Sequence, residues 1–199
     1  MPRAGLNRDA VIAHALEVLD TSGARGLTLK AVADRAGVAA PSLYKHIRSL
    51  TDLRALLAVR VLDETARRTG AAVMGRAEEE AVDAFLAEYR ALVISHPHRH
   101  ELVESFPVGD PEVDRAAAKV LGVLFAVVRG FGLDGEDLIH AARVLRAAVA
   151  GFTALEAGNG YQDPADVDHS FAFLCRMLAV GLRAAAPLPK PLPAPSPAS

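Results

Sequence analysis

The sequence predicts an all-α fold of about nine helices, and three observations support this prediction. Apolar residues recur at three- and four-residue spacing along most of the chain, as they do on one face of a helix. β-Branched residues never alternate with polar ones over the length of a strand. Glycine and proline are concentrated in a few short segments, such as 107–111, 132–135 and 158–164, where they would separate successive helices.

The first two helices are bounded by residues that commonly start and stop helices. The first is predicted from about residue 8 to residue 22, and Gly23 is expected to end it. The second follows Thr28, a residue type that caps helix N-termini, and ends at Gly37. A short amphipathic helix is therefore expected between two glycine-containing connections.

Proline and a capping pattern mark the next two helix starts. A third helix is predicted from Pro41, whose fixed φ suits the first helical turn, to about residue 47. Ser49 and Asp52 resemble a capping box that opens a fourth helix, reaching about residue 68. Five further helices are predicted at about residues 78–95, 99–105, 112–131, 136–157 and 165–186.

Composition limits the class of protein. The 199 residues are 51% hydrophobic and 23% charged, which is enough to form a core. No stretch combines the length and lack of charge of a membrane span, and no apolar signal peptide opens the sequence, so we expect no membrane partner and a cytoplasmic location. A single cysteine, Cys175, excludes an intramolecular disulfide framework and agrees with a reducing compartment.

Charge is distributed unevenly although the total is close to neutral. The net charge is −2, but residues 1–50 hold seven basic and four acidic side chains. The remainder is acidic, so a polyanionic partner is expected for the N-terminal part alone. Residues 187–199 include six prolines, and this segment is predicted to be a disordered tail that joins no core.

The segment 28–47 has the pattern of a helix-turn-helix. Ala33 is small where two short helices would cross, Gly37 can take a positive φ in the turn, and Val38 and Leu43 would hold the second helix on the first. Such a pair presents the exposed face of its second helix to the DNA major groove. A purely structural helical corner is the alternative interpretation of the spacing.

The same residues resemble the TetR family of transcriptional regulators over about residues 6–65. The family pattern is matched by Gly23, Thr28, Val32, Ala33, Ala36, Gly37, Val38, Ser42, Leu43, Tyr44 and His46. The resemblance implies a homodimer that binds double-stranded operator DNA and responds to a small-molecule effector, with no catalytic residue, metal or cofactor. It also implies a DNA-binding domain over residues 5–65 and an effector-binding and dimerisation domain over residues 66–186.

Ten residues are expected to contact DNA, most of them through the phosphate backbone: Thr28, Lys30, Ala39, Ala40, Pro41, Ser42, Tyr44, Lys45, His46 and Arg48. Family members often carry polar side chains where Ala39 and Ala40 stand, so direct base reading there is limited to apolar contact such as a thymine methyl. Leu50 occupies the place of a phosphate-binding lysine in many members. Arg48 is the expected substitute.

Apolar stripes on the last two helices indicate a dimer interface. Heptad-like spacing relates Leu138, Ala141, Leu145, Ala148, Phe152 and Leu155 on one helix and Val167, Phe171, Leu174, Leu178, Gly181 and Ala185 on the other. The predicted interface residues are Leu145, Phe152, Phe171, Leu174 and Leu178. A second stripe through Phe173, Met177 and Val180 leaves the last helix apolar on two sides. The alternative is that both stripes face the core of the same protomer.

The resemblance places an effector pocket between these two regions. Its candidate lining residues are Phe85, Tyr89, Phe106, Phe125 and Arg146, each of which is alternatively an ordinary core residue. His96, His98 and His100 match no zinc motif, and a solvated loop is the favoured interpretation. Cys175 is expected to be a buried packing residue.

Together these features predict a DNA-binding regulator, most simply a repressor released by its effector, with activation as the variant that the sequence leaves open. The alternative class is an all-helical small-molecule-binding or metal-dependent protein without a DNA-binding role.

Overall fold

The computed structural model describes residues 6–185, and within that range it contains eight α-helices, one 3₁₀ helix and no strand. The elements are α1 (Arg8–Gly26), α2 (Leu29–Ala36), the 3₁₀ helix η1 (Ala40–Lys45), α3 (Leu50–Val73), α4 (Glu78–Ser95), α5 (Pro97–Glu104), α6 (Pro111–Arg129), α7 (Gly135–Ala157) and α8 (Val167–Ala185). The predicted all-α fold is confirmed. The predicted proline-rich tail, 187–199, lies outside the described residues.

The N-terminal helices form a small core of their own. Side chains of α1, α2, η1 and the first turns of α3 meet around fully buried Leu19, Val32, Leu43 and Leu53. Burying a large aliphatic side chain is worth about 1.5–3 kcal/mol, so this cluster can hold four short elements in one arrangement. The result is a rigid unit at one end of the molecule.

The first helix breaks at Gly23 as predicted, where φ is +65°, and a short helical turn follows it to Gly26. Two predictions for the next helices are wrong. The third is not an α-helix, because the short proline-containing segment closes i→i+3 hydrogen bonds, including Ser42 N–H to the Ala39 carbonyl at 2.8 Å. The fourth helix runs beyond Arg68 to Val73.

A second, larger core lies between α4, α6, α7 and α8. It is built from buried aliphatic and aromatic side chains, among them Val82, Phe85, Leu86, Leu124, Val128, Leu138, Leu145, Val149 and Phe171. The long helix α3 joins the two ends, with its first half in the N-terminal core and its second half packed on α4 and α6. The predicted domain boundary at residues 65 and 66 therefore falls inside one continuous helix.

Helix α5 bridges the two cores. The histidine segment expected to be a loop is this helix, since Pro97 occupies its first turn and His96 its N-cap. Leu102 of α5 is buried in the N-terminal core, whereas His100 and Glu104 face the larger unit. A short helix thus contacts both parts of the protomer.

Candidate nucleic-acid interface and ligand cavities

Backbone geometry makes the turn between α2 and η1 rigid. The Thr28 hydroxyl caps α2 by accepting a hydrogen bond from Ala31 N–H at 3.1 Å. Gly37 ends the helix in the left-handed region, with φ +67°, and Val38 N–H returns to the Ala33 carbonyl at 3.0 Å. A side chain at position 37 would be strained at this φ, so glycine is needed there. The turn fixes η1 relative to α2.

Two buried side chains anchor η1 and leave its other side in solvent. Leu43 and Ile47 lie in the N-terminal core. Tyr44, between them, is 59% exposed, and Lys45 is also exposed. Ser42 and His46 are half-buried at the edges of this surface. The element therefore presents a hydroxyl, a phenol, an ammonium and an imidazole to solvent.

Charges on the same surface differ in their availability. Lys30 pairs with Asp34 at 2.6 Å, and Arg48 lies 3.7 Å from Asp52. Lys45 has no carboxylate at ion-pair distance within the described residues, which leaves its full charge for another partner. Arg48 is 90% exposed, so its weak pair with Asp52 does little to hold it in place.

The alanines and proline at the start of η1 complete the predicted DNA face. Ala39 and Pro41 are exposed, and Ala40 is half-buried against the N-terminal core. These side chains lack a hydrogen-bonding group, so contacts through them are apolar. The structure brings all ten predicted DNA-contact residues to the α2–η1–α3 region of one unit.

A large cavity of about 430 Å³ lies between the second half of α3 and helices α4 to α7. Four of the five predicted pocket residues line it: Phe85, Tyr89, Phe106 and Arg146. Phe125 does not; it is half-buried against the large core, and the Arg129 guanidinium lies 5.9 Å from its ring centroid. Sequence spacing gave no sign of which side of α6 faces inward at this position.

Polar groups are few in the large cavity and mostly engaged. Arg146 donates to Glu104 at 3.3 Å. The Tyr89 hydroxyl lies 3.4 Å from His100 Nδ1. Burial raises the pKa of Tyr89 and lowers the pKa of His100, the latter against an opposing effect of the Glu104 carboxylate. Both groups are therefore neutral near pH 7, and the cavity is suited to a largely apolar molecule.

A smaller cavity of about 330 Å³ lies on the other side of Tyr89 and His100. Its lining includes Leu16 of α1, so it reaches the joint between the two units. Arg60, Arg68 and Arg99 also line it, as does Glu64. No motif in the sequence marks this cavity, because its residues come from four different helices.

Helix α5 connects the cavities to the N-terminal unit through an ion pair and a core contact. The Arg99 guanidinium donates to Asp20 of α1 at 2.8 Å, with both side chains about one quarter exposed. The His98 ring of α5 packs over Gly23 of α1, 3.4 Å from the position that a Cβ would take, which is an ordinary van der Waals distance. Helix α5 is thus in direct contact with α1.

An exposed apolar face runs along α7 and α8. It consists of five large side chains that are 51–59% exposed: Val144, Leu155, Phe173, Met177 and Val180. Among the predicted interface residues, Leu145 and Phe171 are in the protomer core, at 1% and 6% exposure, and that assignment is wrong. Phe152, Leu174 and Leu178 are half-buried against the same core. The larger side chains of the heptad-like stripe pack inward except Leu155, which is exposed, and the second stripe of Phe173, Met177 and Val180 faces out.

Helix α7 is by length and composition apolar enough to cross a membrane, whereas the sequence predicts no membrane span. In the protomer it is a wall of the large core, with Leu138, Ala142 and Val149 buried. Arg143 and Arg146 lie within the same helix. The exposed part of its apolar surface belongs to the α7–α8 face.

Within residues 6–185, no group of three or more histidine, cysteine or acidic side chains lies close enough to hold a metal ion. Cys175 is buried in the large core, and burial raises its pKa to about 11. A thiol with that pKa is a poor nucleophile at neutral pH.

Comparisons with known proteins agree with this arrangement. Residues 11–55 match the model for bacterial regulatory proteins of the tetR family, and residues 82–178 match that for tetracyclin repressor-like C-terminal domains. An uncharacterised HTH-type transcriptional regulator of Mycobacterium tuberculosis is 35% identical, over 90% of this chain and 83% of its own. YobS of Bacillus subtilis, an uncharacterised regulator of the same type, is 30% identical over 91% and 95%.

Solved structures share the fold. BioQ in complex with its double-stranded DNA operator superposes with a TM-score of 0.66 at 24% identity, covering 90% of this chain and 99% of BioQ. A TetR variant of Acinetobacter baumannii in complex with minocycline gives 0.68 at 20% identity, covering 92% and 99%. With its helix-turn-helix, its cavity-containing helical unit and these relatives, the chain belongs to the TetR family of helix-turn-helix transcriptional regulators.

Proposed function

We propose that this regulator is a cytoplasmic homodimeric repressor that leaves its operator when a small molecule occupies the large cavity. The observation that carries the proposal is the position of α5, which contacts both the cavity and the helix-turn-helix unit. The operator complex of BioQ and the minocycline complex of TetR, which share this fold, support the two kinds of partner. No catalytic step is needed.

Binding to DNA is proposed to occur through η1 and its flanks. Tyr44 and Lys45 face solvent, with half-buried Ser42 at the edge, from an element that buried Leu43 anchors. Most of these groups bond phosphates, so they set the register of the protein on the duplex. Since Ala39, Ala40 and Pro41 offer only apolar contacts, specificity arises from thymine methyl groups and from DNA shape.

Dimerisation is proposed through the α7–α8 face. One helix-turn-helix reads only a few base pairs, and two of them one DNA turn apart, about 34–36 Å, read two half-sites. Pairing two copies of one face about a two-fold axis is the commonest route to such symmetry. The paired helices would form a four-helix bundle with Phe173 and Met177 near its centre.

The switch is proposed to act through α5. A ligand between α4, α5 and α6 favours the conformation that fits it better, and Leu102 and the Arg99–Asp20 pair pass a shift of α5 to α1. If that conformation changes the separation of the two η1 elements, operator affinity falls. Thermodynamic linkage then requires that operator DNA weaken ligand binding by the same factor.

A mobility-shift titration with the DNA upstream of the protein's own gene tests the DNA face. We expect Tyr44→Ala combined with Lys45→Ala to abolish specific binding, because the two side chains are exposed and their loss leaves the core intact. Lys119→Ala, which removes an exposed lysine paired with Asp63, is the matched control. Full binding by the double variant would refute the proposed face.

A further inference from the structure

We propose that the effector is an amphipathic monocarboxylate: its apolar part occupies the large cavity and its carboxylate lies in the small cavity against Arg60. The inference rests on the proposed function, to which it adds a ligand class. Three features support it: residues that line both cavities, an arginine without an ion-pair partner in the described residues, and the N-terminus of α5, whose helix dipole points its positive end at the small cavity.

The two cavities are neighbours separated by a thin partition. Val61, Thr65, Tyr89 and His100 line both of them. The partition is closed by the Tyr89 ring and the His100 ring, packed edge to face with centroids 5.5 Å apart. Their one polar contact is long, at 3.4 Å. Placing one ligand across both cavities requires a rotation of the Tyr89 or the His100 ring.

Within the residues that the structure describes, two of the three arginines that line the small cavity are paired with carboxylates and one is not. Arg68 is paired with Glu88, and Arg99 with Asp20. The cavity's own carboxylate, Glu64, accepts two hydrogen bonds from Arg67, at 2.7 and 3.1 Å. Arg60 has no carboxylate at ion-pair distance in the described part of the chain; its side chain is exposed, and its charge acts on Glu64, one turn along α3, only through space.

One surplus positive charge matches one negative charge on the ligand. A guanidinium binds a carboxylate through two parallel hydrogen bonds, which fixes its orientation as well as its position. The neighbouring His100 is neutral, because burial lowers its pKa, so it adds a polar contact and no second charge. A monoanion is therefore favoured over a doubly charged phosphate.

The N-terminus of α5 adds to the same preference. His96, which precedes the helix, gives it no side-chain cap, and His96, Arg99 and His100 all line the small cavity. Pro97 has no N–H, and the Arg99 and His100 N–H groups already donate to the His96 carbonyl at 3.1 and 3.4 Å, so these residues offer no free backbone donor. What this end of α5 contributes is the positive end of its helix dipole, which adds to the attraction of Arg60 for an anion.

The large cavity has the opposite character. Its walls are mainly valine, leucine and phenylalanine, and its arginine, Arg146, is already engaged by Glu104 at 3.3 Å. A carboxylate placed there would lose its hydration and find no free cation. Burial of an alkyl or aryl group is favourable because it removes apolar surface from water, so the apolar part of the ligand is expected to lie in this cavity.

Three probes with one alkyl chain and different head groups test the assignment: decanoate, 1-decanol and decyltrimethylammonium, titrated calorimetrically below their micelle concentrations. We expect decanoate to bind at least about tenfold more tightly than decanol, as a charge-assisted hydrogen bond provides. Arg60→Gln should reduce decanoate affinity to that of decanol and leave decanol unchanged. Arg115→Gln, an exposed arginine paired within α6, is the control and should change neither.

Equal affinity for decanoate and decanol, a preference for the ammonium probe, binding of none of the three, or an unaltered decanoate affinity in Arg60→Gln would each overturn the inference. A release assay with operator DNA distinguishes a wrong head-group assignment from a wrong proposed function. If decanol or the ammonium probe releases wild-type protein from DNA, the regulator model stands and the head-group assignment falls. If the wild-type protein binds no DNA at all, the proposed function itself fails.

Discussion

Replacing Met177 with glutamate tests the proposed dimer face most severely. Met177 is 58% exposed in the protomer, so the substitution leaves the fold of the single chain intact. Full burial of such a side chain is worth about 1.5–3 kcal/mol, so covering the exposed half stabilises the dimer by about 1 kcal/mol per copy. A two-fold axis brings both copies into the interface, and the pair therefore contributes about 2 kcal/mol.

The introduced carboxylates add a larger cost. Two unpaired charges taken out of water in one interface cost several kcal/mol after relaxation. The total loss is then about 4 kcal/mol or more, which raises the dimer dissociation constant at least about 1,000-fold. Sedimentation equilibrium measures that constant directly.

Met74→Glu is the matched control for this experiment. Met74 is 78% exposed at the end of α3, a helix that contributes no side chain to the α7–α8 face. Its replacement should leave the dimer unchanged. A Met177→Glu protein with wild-type self-association, or equal dissociation of both variants, would refute the assignment of this face.

Three further predictions concern the DNA face, α5 and the partition between the cavities. Lys45→Ala removes one cation per protomer that has no ion-pair partner in the described residues. The slope of log affinity for DNA against log salt concentration, measured by fluorescence anisotropy, should therefore become shallower by about 2 for a dimer. An unchanged slope would exclude a phosphate contact by Lys45. Leu102→Ala should lower the free energy of unfolding by about 2–5 kcal/mol in urea titrations, because a buried anchor between α5 and the N-terminal core is lost; a change near zero would mean that α5 is not held there. Burial lowers the pKa of His100 in the folded state. Below about pH 6.5 the unfolded chain therefore binds a proton at this residue more readily than the folded chain does. The wild-type protein should accordingly lose stability relative to His100→Gln as the pH falls below that value. Parallel stability curves between pH 7.5 and 5 would contradict this.

The sequence predicted the secondary structure where local signals were strong. The bounds of α4 agree exactly, residue 78 to residue 95, because its apolar periodicity runs uninterrupted between loop residues and proline. The 3₁₀ geometry of η1 was missed. A six-residue segment does not reveal from its periodicity which hydrogen-bond pattern tertiary packing will select.

Orientation of helix faces was harder to predict than their existence. Phe171 and Phe173 are two residues apart on an α8 that is apolar on both sides. Packing of α4 and α7 against this helix, including Phe152 of α7 with its ring centroid 5.3 Å from that of Phe171, decides which ring is buried. Leu145 was assigned outward for the same reason. The DNA-contact candidates gathered on one surface because they lie within one short motif.

The cavities depended on contacts distant in sequence. Phe85, Tyr89, Phe106 and Arg146 were identified by residue type, whereas the partner of Tyr89, His100, belongs to a segment expected to be a loop. Nothing in the sequence relates Arg60 to the N-terminus of α5. Tertiary packing of α3 against α5 creates that pairing of features.

The central claim is that pairing through α7 and α8 presents two helix-turn-helix units at the spacing of successive DNA grooves. A spin label at Arg48→Cys, next to η1 and 90% exposed in the native side chain, allows the distance between protomers to be measured by electron–electron resonance. The native Cys175 is buried and has a raised pKa of about 11, so it should stay unlabelled. On operator DNA the account predicts a single narrow distance close to one helical turn, about 34–36 Å. A distance incompatible with adjacent grooves, or no coupling between labels in a DNA-bound protein, would contradict it.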